Sequence, residues 1–203
     1  MRFSFAFAFL TIAMSAQTLQ IKVEAQYDTV SITNLHTSPV TALIAWAPLE
    51  EPRRSRQFLV VEDPIAFEPE GGLRVTVGSH QRRLLHIDGR AGISVGVLFA
   101  DGTSAGDPDA VQKLIDHRRE TALAISSVLA AIRPLVNDGA SRSALIARVE
   151  QLGQPRMTGV ALTPSISATT LVASRTADLL TASDHPATVI AALEHWRDRV
   201  EGN

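Results

Sequence analysis

Between Ile93 and Ala100 both alternating sets of positions are apolar or small: Ile93, Val95, Val97 and Phe99 on one face, Ser94, Gly96, Leu98 and Ala100 on the other. A strand of this kind is expected to be covered on both faces. Asp101-Gly102 ends the run with turn chemistry. Asp107-Pro108 has the syntax of a helix start. The aspartate accepts from the free N–H groups of the first turn, and a proline there gives up no hydrogen bond. Beyond it Val111, Leu114, Ile115, Ala122, Ile125, Val128, Leu129 and Ile132 recur at three- and four-residue steps. That spacing predicts a helix over 108–133 with one apolar stripe, which Pro134 should stop or kink. Such a helix is about 39 Å long at 1.5 Å per residue, longer than a strand, so it needs the later helices as partners. Lys113, Glu120 and the run Asp116-His117-Arg118-Arg119 read as a solvated charged surface.

Upstream the period is two. Tyr27–Thr33, Val40–Ala47, Phe58–Val61, Leu73–Val77 and Leu84–Ile87 are short alternating or apolar runs separated by turn residues. With 93–100 they predict about six antiparallel strands, the pattern of an Ig-like β-sandwich over roughly 20–100. No helix-length pattern separates them, which argues against alternating β-α-β units. Downstream, Ser141 or Ser143 can cap a helix carrying Leu145, Ile146, Val149 and Leu152, closed by Gly153. Thr163-Pro164 marks a further helix to about Ala182, opposed by the β-branched Thr169, Thr170, Val172 and Thr176. Asp184-His185-Pro186 opens the last, with Val189, Ile190, Leu193, Trp196 and Val200 on one stripe. The expected fold class is α+β: an N-terminal antiparallel Ig-like β-sandwich followed by a C-terminal helical segment over 107–202.

The first residues carry a different message. Arg2 precedes an apolar run from Phe3 to Met14, and Ala13-Met14-Ser15 and Ser15-Ala16 are small-residue cleavage sites. Val23-Glu24-Ala25 is a second such site. Gln17, Thr18 and Gln20 leave the apolar core too short for a comfortable membrane span. Residues 1–16 therefore read as a signal peptide, and the mature protein as secreted or periplasmic, with no membrane attachment after cleavage. The chain has no cysteine. That excludes disulfides, thiol redox chemistry, cysteine-ligated metals and a lipid anchor of the bacterial lipoprotein type. A formal net charge of −2 provides no broad basic field, so no nucleic-acid partner is expected.

Gly102-Thr103-Ser104-Ala105-Gly106 matches G-x-S-x-G, the turn that presents a hydrolase serine, and it lies between a strand and a helix. Asp184, His185 and His195 are the candidates for its acid and base. Against this, the helix is capped three residues beyond the serine, no His-Gly-Gly oxyanion sequence precedes it, and the strands lack crossover helices. Asp101, Asp107 and Asp109 bring three carboxylates close in sequence and suggest calcium, but their spacing is not that of an EF-hand loop. Histidines 36, 80, 86, 117, 185 and 195 include no pair at zinc-ligand spacing. Trp46 reads as core. No catalytic, cofactor-binding or metal-binding residue is assigned on these patterns.

Thr33-Asn34-Leu35 with Pro39-Val40-Thr41-Ala42, and Val97-Leu98-Phe99-Ala100-Asp101-Gly102-Thr103 running through Gly106-Asp107 into a helix, resemble a group of uncharacterised exported bacterial proteins. These have an Ig-like β-sandwich followed by helices. The resemblance covers roughly 25–120 and implies that architecture with no assigned activity and no catalytic residues. The expected function is that of a non-enzymatic binding or structural module, with another protein as partner through the helical segment. The alternative is a serine hydrolase using Ser104.

Overall fold

The computed structural model describes residues 20–26, 29–47, 58–69, 75–86, 93–154 and 167–202. The signal-peptide reading, residues 48–57 and Thr163-Pro164 lie outside them. In chain order the described elements are β1 (Ile21–Gln26), β2 (Thr29–Asn34), β3 (Val40–Ala47), β4 (Phe58–Glu62), α1 (Pro64–Phe67), β5 (Arg82–His86), β6 (Ser94–Phe99) and β7 (Ser104–Gly106). They are followed by α2 (Pro108–Asn137), α3 (Arg142–Gly153), α4 (Ala168–Ala182) and α5 (Pro186–Gly202). The chain is α+β, with strands first and helices after, and no described helix is long and apolar enough to cross a membrane.

The strands form two antiparallel sheets, in the orders β1-β2-β5 and β4-β3-β6-β7. They share one core. Val30, Ile32 and Leu85 from the first sheet meet Leu43, Ala45, Val95, Val97 and Phe99 from the second. The register of β3 against β6 shifts between Val40 and Ala42, which lets Val40 join Leu43 and Ala45 on the inner face.

The outer face of the second sheet is also covered, as the two apolar faces of β6 require. Ala42, Ile44 and Leu98 pack on Ala110 and Leu114 of α2. Gly96 is what permits this contact: a Cβ there would lie 2.6 Å from the backbone N of Val111. Asp107 starts the helix as its residue type suggests, its Oδ1 accepting from the Ala110 N–H at 3.0 Å.

Helix α2 does not end before Pro134. It runs 30 residues, about 45 Å, to Asn137. Pro134 lies in its last turn, where losing one N–H removes little of the ladder. The terminal carbonyls are reused: Asp138 N–H donates to Pro134 O and Ala140 N–H to Leu135 O, both at 2.9 Å, with Gly139 at φ +72°. The remaining stripe of α2 builds a second core, in which Ile125, Val128, Leu129 and Ile132 meet Leu145, Val149, Val172, Leu180, Leu193 and Trp196. Helix α4 starts at Ala168, capped by Ser167. Its β-branched residues are absorbed by the helix itself, as when Thr176 Oγ1 donates to Val172 O at 2.7 Å.

Three expectations about the strands change. Of Tyr27–Thr33, residues 27 and 28 lie outside the described residues; the strand there, β2, runs on to Asn34, and a further strand, β1, pairs with it from Ile21 to Gln26. Of Leu73–Val77, residues 73 and 74 lie outside the described residues, and Val77 forms a single bridge to Val40. The turn after β6 contains a further strand, β7, so the sheet ends at Gly106 and not near 100.

Candidate functional site

Ser104 lies exposed on the edge strand β7, directly across from Leu98. Leu98 belongs to the face covered by α2, so the Ser104 side chain projects on that side. His36 lies instead against Phe99, with ring centroids 4.6 Å apart, and Phe99 is part of the inter-sheet core. The two groups therefore serve opposite faces of the sheet. The His36 Nδ1 atom is already occupied, accepting from Ser38 N–H at 3.0 Å.

Of the other candidates for a triad, Asp184 and His185 are carried beyond the far end of α2, and His195 lies on α5. Asp184 pairs with Arg142 at 2.8 Å, just beyond that end, and His185 is its neighbour. His195 follows Glu194, which pairs with Arg133. Arg133 is about 37 Å along the helix from its start beside β7. No hydrogen bond engages the Ser104 hydroxyl among the described residues. The structure thus does not bring the G-x-S-x-G serine together with Asp184, His185 or His195.

The three aspartates are spent locally. Asp101 Oδ1 accepts from Thr103 N–H at 3.0 Å and from Thr103 Oγ1 at 2.6 Å, and these bonds hold its carboxyl below the usual range. Asp107 caps α2 with one oxygen and accepts from Ser94 Oγ at 3.4 Å with the other. Asp109 falls in the first turn of α2, where negative charge suits the helix dipole. Among the described residues no three His, Asp or Glu side chains are gathered to hold a metal ion.

What the fold does create is an open seam. Among the described residues, β1 is an edge of the first sheet and β7 an edge of the second. Between them lies a cleft of about 810 Å³, lined by Ile21 and Val23 of β1, by Ile93, Ser94 and Val95, and by Ser104 to Asp107. Val23 pairs across from the fully buried Ile32 and so faces the core, yet it is 39% exposed, because the short β7 does not reach over it. A second, smaller hollow of about 390 Å³ lies where Ile115 and Leu123 of α2 stand beside Val200 of α5. Both α2 residues are exposed, with Arg119 between them.

One cluster escapes the reading of the sequence, and it joins the two halves. Asp63 is fully buried and Arg118 nearly so. Arg118 Nε donates to Asp63 Oδ2 at 2.8 Å and Nη2 to Oδ1 at 3.1 Å, a bidentate pair that Thr41 Oγ1 extends at 3.4 Å. Asp63 also caps α1, accepting from Ala66 N–H at 3.3 Å. Helix α5 closes over the same turn. Trp196 Nε1–H donates to Ile65 O at 2.8 Å, and Arg199 Nη2 to the carbonyls of Glu68 and Pro69 at 3.1 and 2.7 Å. His117 packs its ring on Phe67 with its Nε2 buried and unpartnered, and burial pushes its pKa down. The run 116–119 is therefore not a solvated face throughout. Two signals in the sequence point here. Asp63-Pro64 repeats the syntax of Asp107-Pro108, and Arg118 lies four residues from both Leu114 and Ala122, on the stripe itself.

Trp46 is partly buried on the α2 side of the second sheet, with Lys113 Nζ 5.4 Å above its ring. No protein-family model, curated protein or solved structure matches the chain.

Proposed function

We propose that this protein is an exported, non-enzymatic module that works by binding, with an Ig-like β-sandwich as its N-terminal half and a helical brace behind it. The strand orders β1-β2-β5 and β4-β3-β6-β7 support the Ig-like reading. The observation that carries binding is the open seam: a cleft of mixed polar and apolar lining between two sheet edges, in which the ionisable lining side chain, Asp107, is already committed to a helix cap. Catalysis at Ser104 draws no support from its setting: among the described residues no hydrogen bond engages its hydroxyl, and the nearby Asp107 is engaged with Ser94 and the α2 N-terminus. Export rests on the pattern of residues 1–16. A cut after Ala16 leaves β1 whole, whereas a cut after Ala25 would remove five of its six residues.

A partner reaching the helical half would meet Ile115 and Leu123, which α2 leaves exposed at 45% and 60%. This is the lesser surface, because it lacks the unpaired backbone that the seam offers.

The deciding test is a fluorophosphonate probe on the chain from residue 17 to residue 203. The binding-module reading expects no labelling. Labelling that disappears in Ser104→Ala would overturn it in favour of a serine hydrolase.

A further inference from the structure

We propose that the seam between β1 and β7 accepts one extended strand from another protein, which pairs with β7 and so widens the second sheet. This rests on the reading of the protein as a binding module and names the kind of partner.

The argument begins with backbone geometry. Phe99 N–H donates to Thr103 O at 2.9 Å, so the Thr103 carbonyl points toward β6. In a trans peptide the next N–H points the opposite way, which turns the Ser104 N–H out of the sheet. Asp107 N–H donates to Val95 O at 2.8 Å, so by the same geometry the Gly106 carbonyl points outward. A donor and an acceptor two residues apart on one edge are the groups that an added strand engages. Both residues are exposed.

The opposite wall complements this edge. Leu35 N–H donates to Gln20 O at 2.9 Å, which leaves the Ile21 N–H directed away from β2. The lining between the walls is mixed, and its apolar part includes Val23, Ile93 and Ala105, all incompletely covered. A strand lying about 4.8 Å from β7 would set every second side chain onto that lining. The ligand class is therefore an extended peptide with apolar residues at alternate positions.

A folded second copy is the wrong occupant. Its edge is two sheets thick, about 10 Å between layers, whereas the proposed occupant is a single strand. β1 is also guarded on its outer side by the exposed Lys22–Glu24 pair, the kind of charge that blocks edge-to-edge pairing of sheets. A loose terminus or linker of a partner meets neither obstacle.

The test titrates residues 17–203 with the peptide acetyl-Lys-Thr-Val-Thr-Val-Thr-Val-Lys-amide, following backbone amide shifts. Saturable binding that moves the Ser104 and Gly106 amides is expected. A peptide with alternate amides N-methylated keeps the side chains but loses the donors, and should bind about tenfold more weakly or worse. Ser104→Pro removes only an outward N–H, which an edge strand tolerates, and should weaken binding similarly with an unchanged melt. If that variant unfolds, Val23→Lys, at a half-exposed position, takes its place. No binding of the peptide, equal binding of the N-methylated peptide, or shifts that arise from self-association would overturn the proposal. None of these results produces fluorophosphonate labelling of Ser104, so failure here is distinct from failure of the module reading.

Discussion

His117 shows how a single residue can be misjudged from its neighbours in sequence. It stands among Asp116, Arg118 and Arg119, yet its ring packs on Phe67 and its Nε2 is sealed without a hydrogen-bond partner. Burial is the main reason its pKa is lowered. Arg118 pushes the same way, while Asp63 and Glu120 oppose. Above the ordinary histidine pKa of about 6.5 the ring is neutral in both states, and His117 adds no pH dependence. Below it the unfolded chain binds a proton that the folded chain refuses, so stability falls with pH until the folded pKa is passed. His117→Phe should flatten this acid slope. Parallel denaturant titrations of both proteins at pH 8 and pH 5 measure it, and equal slopes would contradict the buried neutral ring.

At the scale of elements, the shortest helix matters most. Helix α1 has four residues and ties the sheets to α2 and α5 through Asp63, Ile65 and the carbonyls of Glu68 and Pro69. Removing one partner of a buried pair leaves an uncompensated charge. Arg118→Met should therefore cost about 3–5 kcal/mol, read as a shift in the denaturation midpoint. A loss below about 1 kcal/mol would mean that water reaches Asp63. The strong periodicities are legible in the sequence: β3, β6, the start of α2 and the stripes of α3 and α5 follow from spacing and capping. β1 is hidden because Ile21, Val23 and Ala25 also fit a cleavage-site reading, and because edge strands carry charges such as Lys22 and Glu24. β7 is hidden because its Ser-Ala-Gly composition is that of a turn; only pairing with β6 makes it a strand. The end of α2 is misplaced by its proline, which costs little in a last turn that Gly139 closes.

For the whole molecule, one long helix and one short turn tie the sheets to the helical core. The first half of α2 covers a sheet and the second half organises α3 to α5. That division follows from length, since no single sheet could bury about 45 Å of stripe. The candidate site is not legible in the sequence. The G-x-S-x-G match draws attention to the right strand for the wrong reason: the hydroxyl of Ser104 has no hydrogen-bond partner among the described residues, whereas its backbone forms a free edge. An edge of this kind depends on which way peptide groups turn, and residue types do not encode that.

The most direct measurement is native-state hydrogen exchange of the β7 amides in residues 17–203, with no peptide present. An open seam predicts a slow Ala105 amide, paired with β6, between Ser104 and Gly106 amides that exchange almost as fast as an exposed chain. Ser104 and Gly106 protected as strongly as Ala105 in a monomer would mean that the edge is already covered, and the seam would then have no room for a partner.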